Sequence, residues 1–151
     1  LIIQIPLGMY LVDMDFSEKR LTIENIHVAV GISIFYLTIL RLIYKTFNPT
    51  PNLNNNIFPG QKIIAKLNHV FLYISILMIT ISGALKKLYN GEELNMFFFN
   101  LEIQDNFELA EIFYEIHILG NYTLIALISL HIFAVLIHKI LFKENLLKRI
   151  L

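Results

Sequence analysis

Charged residues are so sparse along much of this chain that the stretches between them outline its architecture. The opening stretch, LIIQIPLGMYLV, runs from Leu1 to Val12. A second begins after Glu24 as NIHVAVGISIFYLTIL, meets Arg41 and continues as LIY. The third, LNHVFLYISILMITISGAL, follows Lys66, and the fourth carries no charge from Ile118 to Ile137. Each of the last three supplies roughly the 17 to 25 residues that a spanning helix requires, and in hydrocarbon every backbone amide must find its partner within such a helix. The pattern predicts helices over 25–45, 67–88 and 116–140, preceded by a partial helix over 1–12. As helix, that first stretch is only ~18 Å long, short of the ~30 Å hydrocarbon core. It starts at Leu1, with neither the basic start nor the small-residue cleavage site of a signal peptide. The expectation is therefore the end of a spanning helix whose beginning is missing. The fold class expected is all-α: a transmembrane four-helix bundle, its first helix incomplete, forming a single domain over 1–151.

Charge in the connecting segments sets an orientation. From Arg41 to Lys66 there are four basic residues and no acid, and from Lys139 to Leu151 four basic residues against Glu144. Asp13 to Glu24 holds four acids and two bases, and Lys86 to Glu115 seven acids and two bases. This alternation predicts the basic segments and the N-terminus in the cytoplasm and the acidic segments outside. The middle loop, FNPTPNLNNNIFPG, reads as irregular linker. The segment EELNMFFFNLEIQDNFELAEIFYE mixes aromatics with acids, which predicts a short helix lying at the interface.

Composition sharpens the picture. The chain is 56% hydrophobic with a mean hydropathy of +0.64, above the usual soluble balance. It has no cysteine, which excludes disulfides, thiolate catalysis and cysteine-ligated clusters. A formal net charge of zero gives no footprint for nucleic acid.

Histidines in such runs need a reason. His117 and His131 are fourteen residues apart on one predicted helix, within ~40° of the same face and ~21 Å apart along its axis. His27 and Arg41 have the same separation on the second helix. Those two helices run in the same direction, so His27 and His117 lie at matching depth and could hold one flat ring between them. A haem iron takes an imidazole on each face and suits an apolar bundle. Zinc would want three or four ligands converging at one depth, and a proton path would leave Asp or Glu inside the runs; neither pattern is present. Plainer alternatives stand beside these: interfacial histidines satisfied by water, a buried His131 bonded to a carbonyl, and an Arg41 that only marks the membrane boundary. His69 and His138 are ambiguous, Tyr73 and Tyr122 read as packing aromatics, and Met78 as a core methionine rather than an axial thioether.

The segments IHVAVGIS with LR fourteen places on, HVFLYISILMITISG, and LGNYTLIALISLH followed by FAVLIHK and ENLLKRIL together resemble the bacterial cytochrome b561 family over nearly the whole chain. The resemblance implies a four-helix membrane cytochrome with two b haems in the bacterial inner membrane. It implies that His27 and His117 ligate an outer haem, and that His131 ligates an inner haem whose other ligand, a histidine near the start of helix one, is not in this sequence. It implies that Arg41 neutralises inner haem propionates and that His69 lies near the inner haem at a quinone contact. A further family histidine falls on Lys66, a departure at that inner site. Metal-bound residues would thus be His27, His117 and His131, with haem b as cofactor and ubiquinone as substrate. The expected activity is electron exchange with ubiquinone or ubiquinol in a respiratory chain, since some family members oxidise superoxide and reduce quinone. Whether the protein is a quinone-linked oxidoreductase or an electron carrier stays open. Expected partners are membrane lipid, quinone, an electron donor of unspecified identity and a second copy in a homodimer. The alternative from another class is a haem-free structural or transporter-like membrane subunit.

Overall fold

A computed structural model describes residues 1–48 and 60–141. Among them the element order is α1 (Gln4–Val12), α2 (Glu18–Phe47), α3 (Gln61–Tyr89), β1 (Leu94–Asn95), β2 (Asn100–Leu101) and α4 (Phe107–Leu141). Three helices, α2, α3 and α4, are long and apolar enough to cross a membrane. Together with α1 they form a helical membrane bundle. α1 has nine residues, about 14 Å of helix.

The helices extend beyond their apolar cores because polar caps start and stop them. Ser17 adopts extended backbone and its Oγ accepts the Arg20 N–H, so α2 begins a turn and a half before Glu24. The Arg20 guanidinium meanwhile donates to the Met14 carbonyl and fastens the α1–α2 turn. At the other end the Asn48 backbone N–H donates to the Tyr44 carbonyl. α3 begins after Gly60, whose φ of 89° is left-handed. It ends at Asn90 and Gly91, and the Gly91 N–H donates to the Leu88 carbonyl. Asn106 then caps α4 with its side-chain oxygen on the Leu109 N–H, and its own N–H donates to the Tyr89 carbonyl. Tyr89 stacks on Phe113, ring centroids 5.7 Å apart. The end of α3 and the start of α4 are thereby locked side by side.

The segment between them departs from the expected interfacial helix. It forms a two-stranded antiparallel pair, Leu94 opposite Leu101 and Asn95 opposite Asn100. The reason is local: the Asn95 side chain accepts the Phe97 N–H, and Phe97 takes a φ of 68°, which a helix cannot accommodate. The acidic half of the same segment, from Phe107, is the start of α4. Tyr36 donates its hydroxyl to the Met96 carbonyl and its ring packs against Phe97 and Phe98, tying the hairpin to α2.

Packing is that of a lipid-facing bundle. Few side chains are buried, among them Ile32, Leu88, Leu94, Ala110 and Leu124, while many Ile, Leu and Phe side chains point outward. α3 packs chiefly on α4, α2 on α3, and α1 on α2. The α3–α4 contact is close because Gly120 has no side chain: a Cβ there would stand 2.8 Å from Ile79 and 3.0 Å from the Met78 methyl. Hydroxyls inside the spans fold back onto their own helices, as Thr38 does to the Ile34 carbonyl at 2.7 Å and Thr123 to Leu119 at 2.9 Å. Gln4 donates to the His27 carbonyl at 2.8 Å, which seats α1 beside the first histidine.

Candidate functional site

At the hairpin end of the bundle a cavity of about 490 Å³ opens between the helices. All four contribute to it, α1 through Gln4 and Gly8, α2 through His27 and Gly31, α3 through Thr80 and Gly83, α4 through His117 and Leu124. His27 and His117 face each other across it, ring centroids 6.2 Å apart and planes at 72°. The depth match read from the sequence therefore corresponds to a contact distance.

Each ring is held. His117 Nδ1 lies 2.9 Å from the Ile79 carbonyl. A carbonyl can only accept, so Nδ1 carries the proton and donates, leaving the Nε2 lone pair free to bind a metal. The ring reaches that carbonyl because Gly83 is bare: a Cβ there would lie 2.9 Å from His117 Cε1 and Nδ1. Gly8 does the same for His27, where a Cβ would lie 2.9 Å from Cε1. His27 Nδ1 is buried without a hydrogen-bond partner, as is Gln4 Oε1 beside it. Buried polar atoms left unpartnered beside a cavity mark a place where a ligand belongs.

The donor set suits a macrocyclic metal. Two imidazole nitrogens at about 2.0–2.1 Å from one metal put their ring centroids roughly 6 Å apart, as His27 and His117 are. Among the described residues no group of three or more His, Cys, Asp or Glu gathers to hold a bare ion. Two facing imidazoles in an apolar, glycine-lined slot instead fit a metal whose remaining ligands come from a flat ring, and the cavity has the size of an ordinary cofactor site.

Toward the opposite end lies a second cluster. His131 sits on α4, and its Nδ1 is 3.0 Å from the side-chain amide of Asn68 on α3. The His69 ring stands 5.2 Å from the His131 ring at 68°. Arg41 is exposed on α2. Lys45 itself lies over the Tyr73 ring at 5.2 Å. His131 and His69 are thus brought together by ring contact. The side chain of His138 lies outside the described residues. Met78 packs toward Gly120.

The sequence reading missed Asn68, Gln4, Gly8, Gly83 and the Ile79 carbonyl. Asn68 had a signal, an amide inside an apolar run and next to a histidine. The glycines had a weaker one, and a backbone carbonyl has none.

Ion pairs rim the hairpin end. Lys86 bridges to Glu24 at 3.4 Å and Lys87 to Glu92 at 2.5 Å. Partial burial pushes the Glu92 carboxyl up, but hydrogen bonds from Lys87 and Asn90 outweigh it and hold the group below the usual carboxylate range.

Residues 1–151 match the family described as prokaryotic cytochrome b561. The chain is 24% identical over 149 residues to "Cytochrome b561 homolog 2" of Escherichia coli (strain K12), a match covering 96% of this chain and 79% of that protein. It is 28% identical over 137 residues to "Cytochrome b561 homolog 1" of the same organism, covering 89% and 78%.

Proposed function

Since the chain belongs to the prokaryotic cytochrome b561 family, a b-type haem electron-transfer protein of the bacterial membrane, we propose that His27 and His117 ligate one haem and that His131 contributes to a second. The haem supplies reversible one-electron iron chemistry when bound; the chain's residues orient it, exclude water and set its potential. The reading extends to a single cytochrome domain in the inner membrane that exchanges electrons with ubiquinone or ubiquinol, His69 lying beside the quinone contact and Arg41 balancing propionate charge.

The observation that carries this is the pairing of His27 and His117 at 6.2 Å in a cavity lined by all four helices. Its support is chemical: a free Nε2 on His117, an unpartnered Nδ1 on His27 and two glycines that give the rings room. Membranes from haem-replete cells expressing the chain should give a reduced-minus-oxidised spectrum with a b-type α band. Inserted protein with no such band would return the chain to the haem-free alternative. Reduction of that band by ubiquinol, against reduction by superoxide alone, decides the electron source.

A further inference from the structure

The cavity holding His27 and His117 is apolar over most of its wall and is also lined by charged residues, the cations Arg20, Lys86 and Lys87 and the acids Asp13, Glu24 and Glu115. Those cations differ in how they are engaged. Arg20 donates through Nη1 to the Met14 carbonyl, at the α1–α2 turn. Lys87 is buried, its side chain 10% exposed, and is closed off by Glu92. Among these cations Lys86 is the one whose ion pair crosses the rim from α3 to α2, and its contact with Glu24 is long and single, at 3.4 Å.

Its position is set by register. Glu24 precedes His27 by three residues, and Lys86 follows Gly83, the residue against which His117 sits, by three. The backbone positions of Lys86 and Glu24 therefore stand three residues, ~4.5 Å, outward of the levels of Gly83 and His27. A haem placed between those histidines must direct its two propionates somewhere. The deeper wall is Ile76, Ile79 and Leu124, where an unpaired carboxylate would lose its hydration without compensation. Among the described residues lining the cavity, the cations are Arg20, Lys86 and Lys87.

Resting on the reading that His27 and His117 hold a haem, we propose that Lys86 is the carboxylate-binding residue of that site and anchors a haem propionate. Glu24 already places a carboxylate on that ammonium, three residues from His27. An ammonium has three donors, so a propionate can share Lys86 with Glu24 or displace it. Lys86 is the residue suited to exchange, because its side chain is one-third exposed and its existing bridge is weak.

The test compares iron protoporphyrin IX with its dimethyl ester, which has the same ring but no charged carboxylates, titrated by absorbance into the full chain in nanodiscs. The signal followed is the spectral component that His27→Ala removes. Wild type should bind the free acid more tightly than the ester. Lys86→Met should weaken free-acid binding roughly three- to tenfold and leave ester binding within about twofold, with Lys86→Arg retaining the preference. Glu24→Gln should hold or tighten free-acid binding, since it removes a competing carboxylate. Equal weakening of acid and ester by Lys86→Met, or a loss in Glu24→Gln matching it, would make the pair a structural clasp and overturn the proposal; so would no effect on either ligand. If neither porphyrin gives a His27-dependent component, the haem reading itself fails and this inference with it.

Discussion

At the scale of single residues, on the proposed reading the two facing histidines serve one centre, and their removal should then be redundant. His27→Ala and His117→Ala should each abolish the same haem component, and the double variant should lose no more, as expected for groups acting as a unit. Loss of different components by redox-resolved spectroscopy would show that the two rings serve separate sites. Gly83 gives a stricter test of the cradle. A Cβ there meets His117 Cε1 and Nδ1 at 2.9 Å, so Gly83→Ala must push the ring off the Ile79 carbonyl. We expect a cost of about 1–3 kcal/mol from overpacking and weakened haem retention, read by thermal melting and haem loss. His27 and His117 were legible in the sequence because helical spacing and chain direction fix depth. Gly83, Gly8 and the Ile79 carbonyl were not, because which atom meets a ring depends on the rotation of one helix against another, which a linear pattern does not encode.

At the scale of elements, the spanning helices were readable from hydropathy, but their ends were not. Punctuating by Glu24 hid the Ser17 cap, whose hydroxyl lets α2 start among charged residues. The hairpin was hidden for another reason: its strands are two residues each and owe their form to the Asn95–Phe97 turn and to Tyr36 sixty residues away. The turn joining α3 to this hairpin carries a pH dependence of definite sign. Glu92 is held below its ordinary range in the folded state, so it releases its proton more readily folded than unfolded. Its stabilising contribution is present above the unfolded value and is lost as pH falls through the lower folded value. In detergent, melting below about pH 4.5, the ordinary carboxyl value, should therefore fall with acid, and Glu92→Gln should flatten part of that slope. An unchanged slope would remove Glu92 from the acid response. Between α3 and α4, Gly120→Leu should separate the helices at Ile79 and Met78 and cost about 1–3 kcal/mol or more, seen as a lowered melting temperature.

At the scale of the whole molecule, charge should organise both topology and redox behaviour. The loops predict the hairpin on the outer side, so a cysteine placed at the exposed Asn95 of this cysteine-free chain should react with an impermeant maleimide added to intact spheroplasts. Labelling only after lysis would invert the orientation. At the other end, Arg41 is exposed on α2, with no acid on its own turn. A nearby cation favours the reduced, more negative state of a haem, so Arg41→Ala should lower the potential of the His131-associated centre by on the order of tens of millivolts, as a Coulomb interaction across partly screened protein would give. Redox titration reads this directly, and an unshifted potential would leave Arg41 as a boundary marker.

The separation of His117 from His131 along α4 has an energetic meaning. Fourteen residues of straight helix are ~21 Å, roughly two-thirds of a ~30 Å hydrocarbon core. On the proposed two-haem reading, an electron passing between centres at those two levels crosses most of the low-dielectric layer and so does electrical work against, or draws it from, the transmembrane voltage. For one charge that is ~1.6 kcal/mol per 100 mV over this fraction of the field. The relative occupancy of the two centres would then respond to the energisation of the membrane itself, making one helix's histidine spacing a gauge of how far electron flow here is electrogenic.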